Sequence, residues 1–309
     1  MAIVVDLLIS PADDGIVVAS MRSAHPPMSW EEYELMAWKL GWKHEYWDGR
    51  AHITPRQHVI CAVMAVKPHA IHASCRLRPV TVEDHRELTA LFFQAFRDTI
   101  EFCDWSIGSI RDTATRSIDA FFDGKRGKPH ASSRVAVPVR SRTKREQIIG
   151  AALIVEPAPE KPVLEMLFVS PRARRRGLAS ALAGAAMNEL QRLGIATLES
   201  AYLIGNAPSR AWHQQFGFVE EPDLLSAQLY YRHAEHELQR HEKLRHLSES
   251  ALLEVTCECA YWRREVERLE VVAREHGYEL VSPILRRADR RLSGHLCIDV
   301  QQIQQIDVD

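Results

Sequence analysis

The chain has 309 residues and a formal net charge of −2 at pH 7, with 46% hydrophobic and 26% charged residues. These proportions are those of ordinary globular proteins, which excludes a wholly disordered chain, a collagen-like repeat and a coiled-coil rod. The near-neutral balance excludes an overall field that would attract nucleic acid or an anionic membrane, and the length allows about two domains.

The beginning of the chain is apolar but does not have the pattern of a secretory signal. Asp6 interrupts residues 1–10, and no basic residue precedes them, so we interpret this stretch as a short buried strand. No apolar run approaches the roughly 20 residues that span a bilayer. The six cysteines are too sparse for a disulfide framework. We therefore expect a cytoplasmic protein with no membrane partner.

Residues 1–73 predict an accessory helix and hairpin. Ser29 is a natural N-cap, Glu32 follows three residues later and Gly41 ends the run, which predicts a helix over 29–41. Asp48-Gly49 between strand-like flanks predicts a hairpin turn. Residues 28–55 weakly resemble the N-terminal part of the Uma-type restriction-nuclease-like family. The following 56–73 are too short for that family's metal-binding carboxylate–lysine core, so we expect a non-catalytic module that packs on the rest of the chain or on a partner.

The middle of the chain, about 74–223, alternates strand and helix patterns. In order we predict a strand at 75–80, helices at 81–96 and 111–122, strands at 133–140 and 147–155, a proline breaker at 157–162, a strand at 163–169, a helix at 180–194 and a strand at 196–202. This alternation favours an α/β or α+β layer architecture. Residues 224–309 predict mostly charged helix to about 276, then poorly ordered residues.

The most informative segment is the turn between the strand 163–169 and the helix after it. This turn contains Arg172, Arg174, Arg175 and Arg176, followed by Gly177. A helix N-terminus has unpaired N–H groups and about half a positive charge, so the added arginines predict an anion site, most naturally for a phosphate or pyrophosphate. Glycine lets the ligand approach the backbone where a side chain would hold it away.

The pattern Arg174-x-x-Gly177-x-Ala179 after a strand resembles the acyl-CoA signature of the GNAT N-acetyltransferases. Asn206, which opens a helix that ends in Gly217-Phe218, resembles the second signature of that family. Residues 76–84 resemble the usual first strand and helix start. The resemblance covers about 75–220, roughly half of the chain.

The resemblance implies an α+β fold, the GNAT acyl-CoA N-acyltransferase fold. Its mixed central sheet has flanking helices and is splayed between the strands 163–169 and 196–202. We expect a GNAT N-acetyltransferase domain at 74–223, the N-terminal hairpin module at 1–73 and a helical C-terminal extension at 224–309. GNAT chains usually continue into a final strand after the Gly-Phe pair. Here the sequence turns to a helix-like run, so we expect that strand to be replaced or very short.

The resemblance also implies acetyl-CoA as co-substrate. Its pantetheine arm would lie in the splay and its pyrophosphate on the amides of about 174–179. An amine would attack the thioester directly, with a backbone N–H near Phe168 polarising the thioester oxygen. The cofactor-binding residues are then Phe168, Val169, Arg174, Arg175, Arg176, Gly177, Leu178, Ala179 and Asn206.

Two side chains are candidates for proton transfer. Glu165 is at the strand position where many GNAT enzymes have a carboxylate, so it is the candidate base, or alternatively a solvent-facing strand residue. His213 occupies the position of the family's usual acid tyrosine. A histidine can protonate a thiolate near neutral pH, or it is a residue of the helix surface. Tyr202 is a substitute acid or packs in the sheet.

Other clusters do not predict a site. The thiols of Cys257-x-Cys259 on a helix point about 200° apart, and the nearby histidines are spread around the helix, so we expect no metal. The basic runs at 140–145 and 286–291 are interpreted as solvated, so we expect no nucleic-acid partner.

The sequence therefore predicts an N-acetyltransferase that acts on a primary amine of a small molecule or a protein. The alternative is a catalytically weak or inactive acyl-CoA-binding regulatory or scaffold protein on the same fold, which the missing tyrosine favours. A nuclease would need a carboxylate–lysine core that we do not find. The loops at 100–132 and 203–210 do not identify the acceptor, and the helical tail is able to support a homodimer.

Overall fold

The computed structural model describes residues 10–12, 15–17, 22–139, 147–244 and 249–277. The apolar residues 1–9, the basic runs at 140–145 and 286–291 and the C-terminal residues lie outside this part. The chain divides into two compact units, of which the first is Met1–Ile60, Leu203–Ala207 and Pro222–Pro283, and the second is Cys61–Tyr202, Pro208–Glu221 and Ile284–Asp309. The three domain ranges predicted from the sequence stay a prediction.

The described residues form the following elements. The strands are β1 (Ser10–Ala12), β2 (Gly15–Val17), β3 (Trp42–Trp47), β4 (Arg50–Pro55), β5 (Val59–Ala65), β6 (Cys75–Pro79), β7 (Lys128–Pro129), β8 (Arg134–Pro138), β9 (Gly150–Ala158), β10 (Lys161–Val169), β11 (Thr197–Leu203) and β12 (Val219–Glu221). The helices are α1 (Trp30–Glu34), α2 (His85–Phe96), α3 (Ile107–Phe122), α4 (Leu178–Arg192), α5 (Ala207–Phe216), α6 (Leu224–Leu244) and α7 (Glu249–His276). None of these helices is long and apolar enough to cross a membrane.

The first helix begins where the sequence predicts and ends earlier. The Ser29 hydroxyl accepts from the Glu32 N–H at 3.2 Å, and the Glu32 carboxylate accepts from the Ser29 N–H at 2.7 Å, which completes a capping box. The helix ends at Glu34 instead of continuing to Gly41. The N–H of Trp38 donates to the Glu237 carboxylate at 3.1 Å instead of to a helix carbonyl, so a tertiary contact overrides the helical pattern.

The predicted hairpin is confirmed as β3 and β4. The two strands pair antiparallel in a register that sets Trp47 opposite Arg50. Asp48 and Gly49 both have positive φ, 50° and 66°, as a two-residue turn of the type I′ class requires.

The second unit is built on a mixed sheet whose strand order is β12-β5-β11-β10-β9-β8-β6, with β7 paired to β9. Its core lies between this sheet and the helices α2 and α3. The buried side chains there include Leu88, Phe92, Ile110, Ile118, Phe121, Val135, Leu153, Val155, Met166 and Phe168. The helix predicted at 81–96 is present, with a first 3₁₀ turn at Val82–Asp84. The described elements give the expected α+β architecture.

The break predicted at 157–162 is present but shorter than predicted, a turn of two residues at 159–160. β9 continues to Ala158 and β10 starts at Lys161, so the two strands form a hairpin whose turn includes Glu160 at φ 59°. Pro162 is tolerated because it lies at a register shift of the β9–β10 pair, where no ladder hydrogen bond is required of it.

The predicted splay is confirmed between β10 and β11. These parallel strands pair at Val163–Glu199 and Leu164–Ser200, and within the described strands the pairing stops there, before the end of β10. The strand next to β11 on its other side is β5, which comes from the segment before the GNAT-like region. β5 pairs in turn with β12, a strand of three residues that follows Phe218. The expected final strand is thus very short, and an N-terminal segment lies beside it.

Candidate active site

The turn after β10 leaves the N-terminus of α4 uncapped. Arg175 has φ 59° and Gly177 has φ 73°, so two left-handed residues turn the chain into the helix. The Ala181 N–H donates to the Gly177 carbonyl at 2.9 Å as the first bond of the helix, and no side chain of the N-cap residue bonds to it. The N–H groups of Leu178, Ala179 and Ser180 precede that bond and face the helix end, where an anion can accept from them.

The space above Gly177 is open. A Cβ atom placed on Gly177 would meet no heavy atom within 4 Å. A ligand can therefore approach this backbone without displacing any described atom. Since the φ of Gly177 is positive, any other residue at this position has a strained backbone even though there is room for its side chain.

The arginines of the turn are exposed and differ in their partners. Arg174 reaches back to the carbonyl of Ala95 in the last turn of α2, which fixes the turn against that helix. Within the described part of the chain, Arg172, Arg175 and Arg176 have no ion-pair partner. Their charges add to the positive end of α4, so the residues of this loop together form an anion site.

Phe168 and Val169 lie at the end of β10, beyond its pairing with β11. On one side they pair with Ala151 and Gly150 of β9. The Phe168 ring packs in the core, 5.7 Å from the ring of Phe92. On the β11 side, within the described strands, the backbone of this end has no strand partner. An extended amide chain can pair with such a free backbone edge.

Asn206 lies directly before α5, as predicted. Its N–H donates to the Leu203 carbonyl at 2.9 Å. Asn206 belongs to the first compact unit, whereas the loop before α4 belongs to the second. Its part in cofactor binding stays a prediction.

Glu165 is the extra residue of a β-bulge in β10. Leu164 pairs with Ile154 and Met166 pairs with Leu153, which leaves Glu165 between them without a partner on β9. Bulges of this kind change the direction of a side chain. The Glu165 side chain is 16% exposed, and its Oε1 accepts from Nη1 of Arg126 at 2.6 Å. Glu165 is thus held by an ion pair instead of extending freely into solvent.

Arg126 and Ser200 are polar residues of this region that the sequence did not single out. Arg126 follows Gly124 and Lys125 in the turn after α3, a place that the sequence indicates only as a helix end. The Ser200 hydroxyl lies 2.9 Å from Nε2 of His213. No local sequence signal connects Arg126 to Glu165 or Ser200 to His213, because each pair joins separate elements.

His213 lies on the buried face of α5 and not on its exposed face. Its Nδ1 is 2.8 Å from the Ser209 carbonyl, which can only accept, so Nδ1 carries the proton and Nε2 accepts from Ser200. The ring stacks on Tyr202 at 4.3 Å. Burial lowers the pKa of His213 to about 4, more than the Ser209 carbonyl and the Glu220 charge raise it. Tyr202 packs against His213 and donates its hydroxyl to Glu220.

The buried imidazole predicts a pH dependence of stability. Because its folded pKa is depressed, the stability that His213 contributes is complete above about pH 6.5 and is lost as the pH falls toward 4. We expect the free energy of unfolding of the wild type to fall by about 3 kcal/mol more than that of His213→Gln between pH 7 and pH 4. Urea titrations of both proteins at the two pH values measure this. Equal losses would contradict it.

Within the described residues, no group of three or more His, Cys, Asp or Glu side chains is arranged to hold a metal ion. His233 and His236, near the Cys257-x-Cys259 pair in sequence, bond through Nε2 to the carbonyls of Trp38 and Met36.

Comparisons with known proteins find one family model and several similar solved structures. The model of the acetyltransferase (GNAT) family matches residues 100–218. Among solved structures, the chain is similar to the PaiA N-acetyltransferase from Thermoplasma acidophilum in complex with coenzyme A, with 18% identity, 49% of this chain and 94% of that chain covered and a TM-score of 0.39. It is also similar to the ribosomal-protein-S18-alanine N-acetyltransferase from Escherichia coli, with 19% identity, 47% and 77% coverage and a TM-score of 0.33.

A third similar structure is the GCN5-related N-acetyltransferase from Sphaerobacter thermophilus, with 16% identity, 52% of this chain covered and a TM-score of 0.37. The match spans 48% of that protein. No curated protein matches the chain. The family model and the splayed sheet lead to one conclusion: residues 100–218 form a domain of the acetyltransferase (GNAT) family.

Proposed function

We propose that this domain transfers an acetyl group from acetyl-CoA to a primary amine by direct attack on the thioester. The observation that carries the proposal is the position of the loop between β10 and α4, residues 170–177, which we call the anion loop. The uncapped start of α4, with open space over Gly177, directly follows the strand β10 whose end is separated from β11. A ligand with a pyrophosphate at one end and an extended amide chain at the other fits this combination.

In this proposal the loop from Arg174 to Ala179 binds the pyrophosphate through backbone N–H groups and guanidinium charge. The free backbone edge at Phe168 and Val169 pairs with the amides of the pantetheine arm. A backbone N–H near Phe168 then donates to the thioester oxygen as negative charge develops on it.

Proton transfer begins at the acceptor. An ammonium group cannot attack, so it first gives one proton to the carboxylate of Glu165, directly or through a water molecule. The amine nitrogen then forms a bond to the thioester carbon, the C–S bond breaks, and the thiolate of coenzyme A leaves. The acetylated nitrogen then gives its remaining extra proton to the departing thiolate, directly or through water, which yields a neutral amide and the free thiol of coenzyme A.

The test is release of the coenzyme A thiol from acetyl-CoA in the presence of primary amines. The panel contains a diamine, a polyamine, an aminoglycoside and peptides with a free N-terminus or a lysine. We expect release with at least one class. For Glu165→Gln we expect kcat to fall about 100-fold, because a positioned base contributes about 10²–10⁴-fold, while the KM for acetyl-CoA stays unchanged. Bound acetyl-CoA without release for any amine would overturn the proposed function.

His213 is the second candidate for proton transfer and would return a proton to the thiolate. This role needs the imidazolium form, and with a pKa of about 4 only about one molecule in a thousand carries it at pH 7. We therefore expect His213→Gln to lower kcat by about tenfold or less, a smaller effect than that of Glu165→Gln. A loss equal to that of Glu165→Gln would show that the imidazole supplies an essential proton.

The second candidate function is an acyl-CoA-binding regulatory or scaffold protein with weak or no catalysis. The neutral state of His213 favours it, since the expected acid tyrosine is replaced by a group that has no proton to give at Nε2. Acetyl-CoA binding without turnover would support this function.

The homodimer expected from the helical tail stays a prediction. A cytoplasmic location also stays a prediction, for which the free state of the five described cysteines is the supporting observation.

A further inference from the structure

The proposed base, Glu165, is one partner of a buried ion pair. Nη1 of Arg126 donates to Oε1 of Glu165 at 2.6 Å, and the Arg126 side chain is 4% exposed. Nη2 of the same guanidinium lies 3.5 Å from the hydroxyl of Ser117, a buried residue of α3. A guanidinium at this depth needs an anion beside it, because a buried charge without a partner is strongly unfavourable.

The backbone that carries Arg126 has little freedom to move. Gly127, the next residue, has φ 122°, and a Cβ atom there would lie 2.7 Å from the backbone nitrogen of Pro157. Lys128 then pairs with Glu156 of β9. The turn after α3 thus packs closely on the sheet, and the backbone position from which the Arg126 side chain extends is fixed.

The bulge and the ion pair act on the two ends of the same side chain. The bulge sets the direction in which Glu165 leaves β10, and Arg126 holds one of its two carboxylate oxygens. A charge-assisted hydrogen bond of this kind restricts rotation of the carboxylate. The second oxygen, Oε2, is then the one left to accept a proton from an amine or a water.

We propose that Arg126 is a positioning residue for amine acetylation, which holds Glu165 in the orientation that accepts the acceptor's proton. The inference rests on the proposed function. It differs from a purely structural role of the ion pair, which would change the stability of the protein and leave the rate of the chemical step of the folded protein unchanged.

The experiment measures kcat and the two KM values for the wild type, Arg126→Lys, Arg126→Gln, Glu165→Gln and the double variant Arg126→Gln/Glu165→Gln. We expect Arg126→Gln to lower kcat by about 10- to 100-fold with the KM for acetyl-CoA unchanged, since misplacement of a catalytic group by about 1 Å has such effects. Arg126→Lys keeps the charge and should recover most of the rate. In the Glu165→Gln background, Arg126→Gln should cause no further loss, because both changes act on one group.

The matched control is Arg134→Gln. Arg134 forms another partly buried ion pair, 3.4 Å from Glu189, away from the loop and from β10. This variant should lose stability in a thermal melt and keep the wild-type kcat. If Arg126→Gln does not fold, Arg126→Lys and the double variant, which leaves no unpaired buried charge, still decide the question.

The outcomes separate the two claims. A wild type that binds acetyl-CoA and acetylates no amine would overturn the proposed function and this inference with it. An active wild type in which the folded Arg126 variants keep the full kcat would overturn the inference alone. Losses from Arg126→Gln and Glu165→Gln that multiply in the double variant would also overturn it, because they would show independent roles.

Discussion

Replacing Ala62 with aspartate should prevent the second unit from folding. Ala62 is fully buried in β5, opposite Glu220 of β12 in the antiparallel pair. β5 is an inner strand, and directly opposite residues of an antiparallel pair lie on the same face, so an aspartate here would be buried on the face that also carries the Glu220 carboxylate. Burying an unpaired carboxylate costs several kcal/mol, which is comparable to the about 5–15 kcal/mol that stabilise a whole protein.

Circular dichroism during thermal unfolding measures this effect, and Ala65→Asp is the matched control. Ala65 is the exposed last residue of the same strand, so the same substitution there should change the free energy of unfolding by no more than about 0.5 kcal/mol. A melting curve for Ala62→Asp that coincides with that of Ala65→Asp would show that β5 is not an integral strand of this sheet.

Features that depend on neighbouring residues were predictable from the sequence. The capping box of Ser29 and Glu32 and the turn at Asp48-Gly49 are set by side chains within three residues of each other. The same holds for the loop before α4, since the strand, the arginines, Gly177 and the helix follow each other directly in the chain. The splay of the sheet was predicted from the resemblance to the GNAT family, because the periodicity of the strands does not indicate it.

Features that depend on distant residues were not predictable. The apolar run of β5 is compatible with a strand, but nothing within it indicates that it lies beside β11, a strand more than 130 residues later. The early end of α1 is set by Glu237, and the orientation of Glu165 by Arg126, 39 residues earlier. His213 was open to two interpretations because helical periodicity does not show that an aromatic ring and a serine from β11 would enclose it.

The central claim is that the N-terminus of α4 binds the pyrophosphate of acetyl-CoA, and Gly177→Glu should abolish that binding. A glutamate here places a carboxylate and a bulky side chain where the backbone faces open space. Both the charge and the volume oppose a pyrophosphate. We expect the affinity for acetyl-CoA to fall at least about 100-fold, which corresponds to about 3 kcal/mol.

The backbone strain of this substitution has a matched control in the same helix. Gly194, just past the other end of α4, has φ 76° against 73° for Gly177, and a Cβ atom on it also meets nothing within 4 Å. Gly194→Glu therefore causes the same strain, of the order of 1–2 kcal/mol, at the end of the helix away from the anion loop. It should keep the wild-type affinity.

The most direct measurement is isothermal titration calorimetry of acetyl-CoA into the wild type, Gly177→Glu and Gly194→Glu, each shown to be folded by circular dichroism. Our account predicts saturable binding with a stoichiometry of about one site per chain for the wild type and Gly194→Glu, and no measurable binding for Gly177→Glu. Wild-type affinity in folded Gly177→Glu, or no binding by the folded wild type, would contradict it.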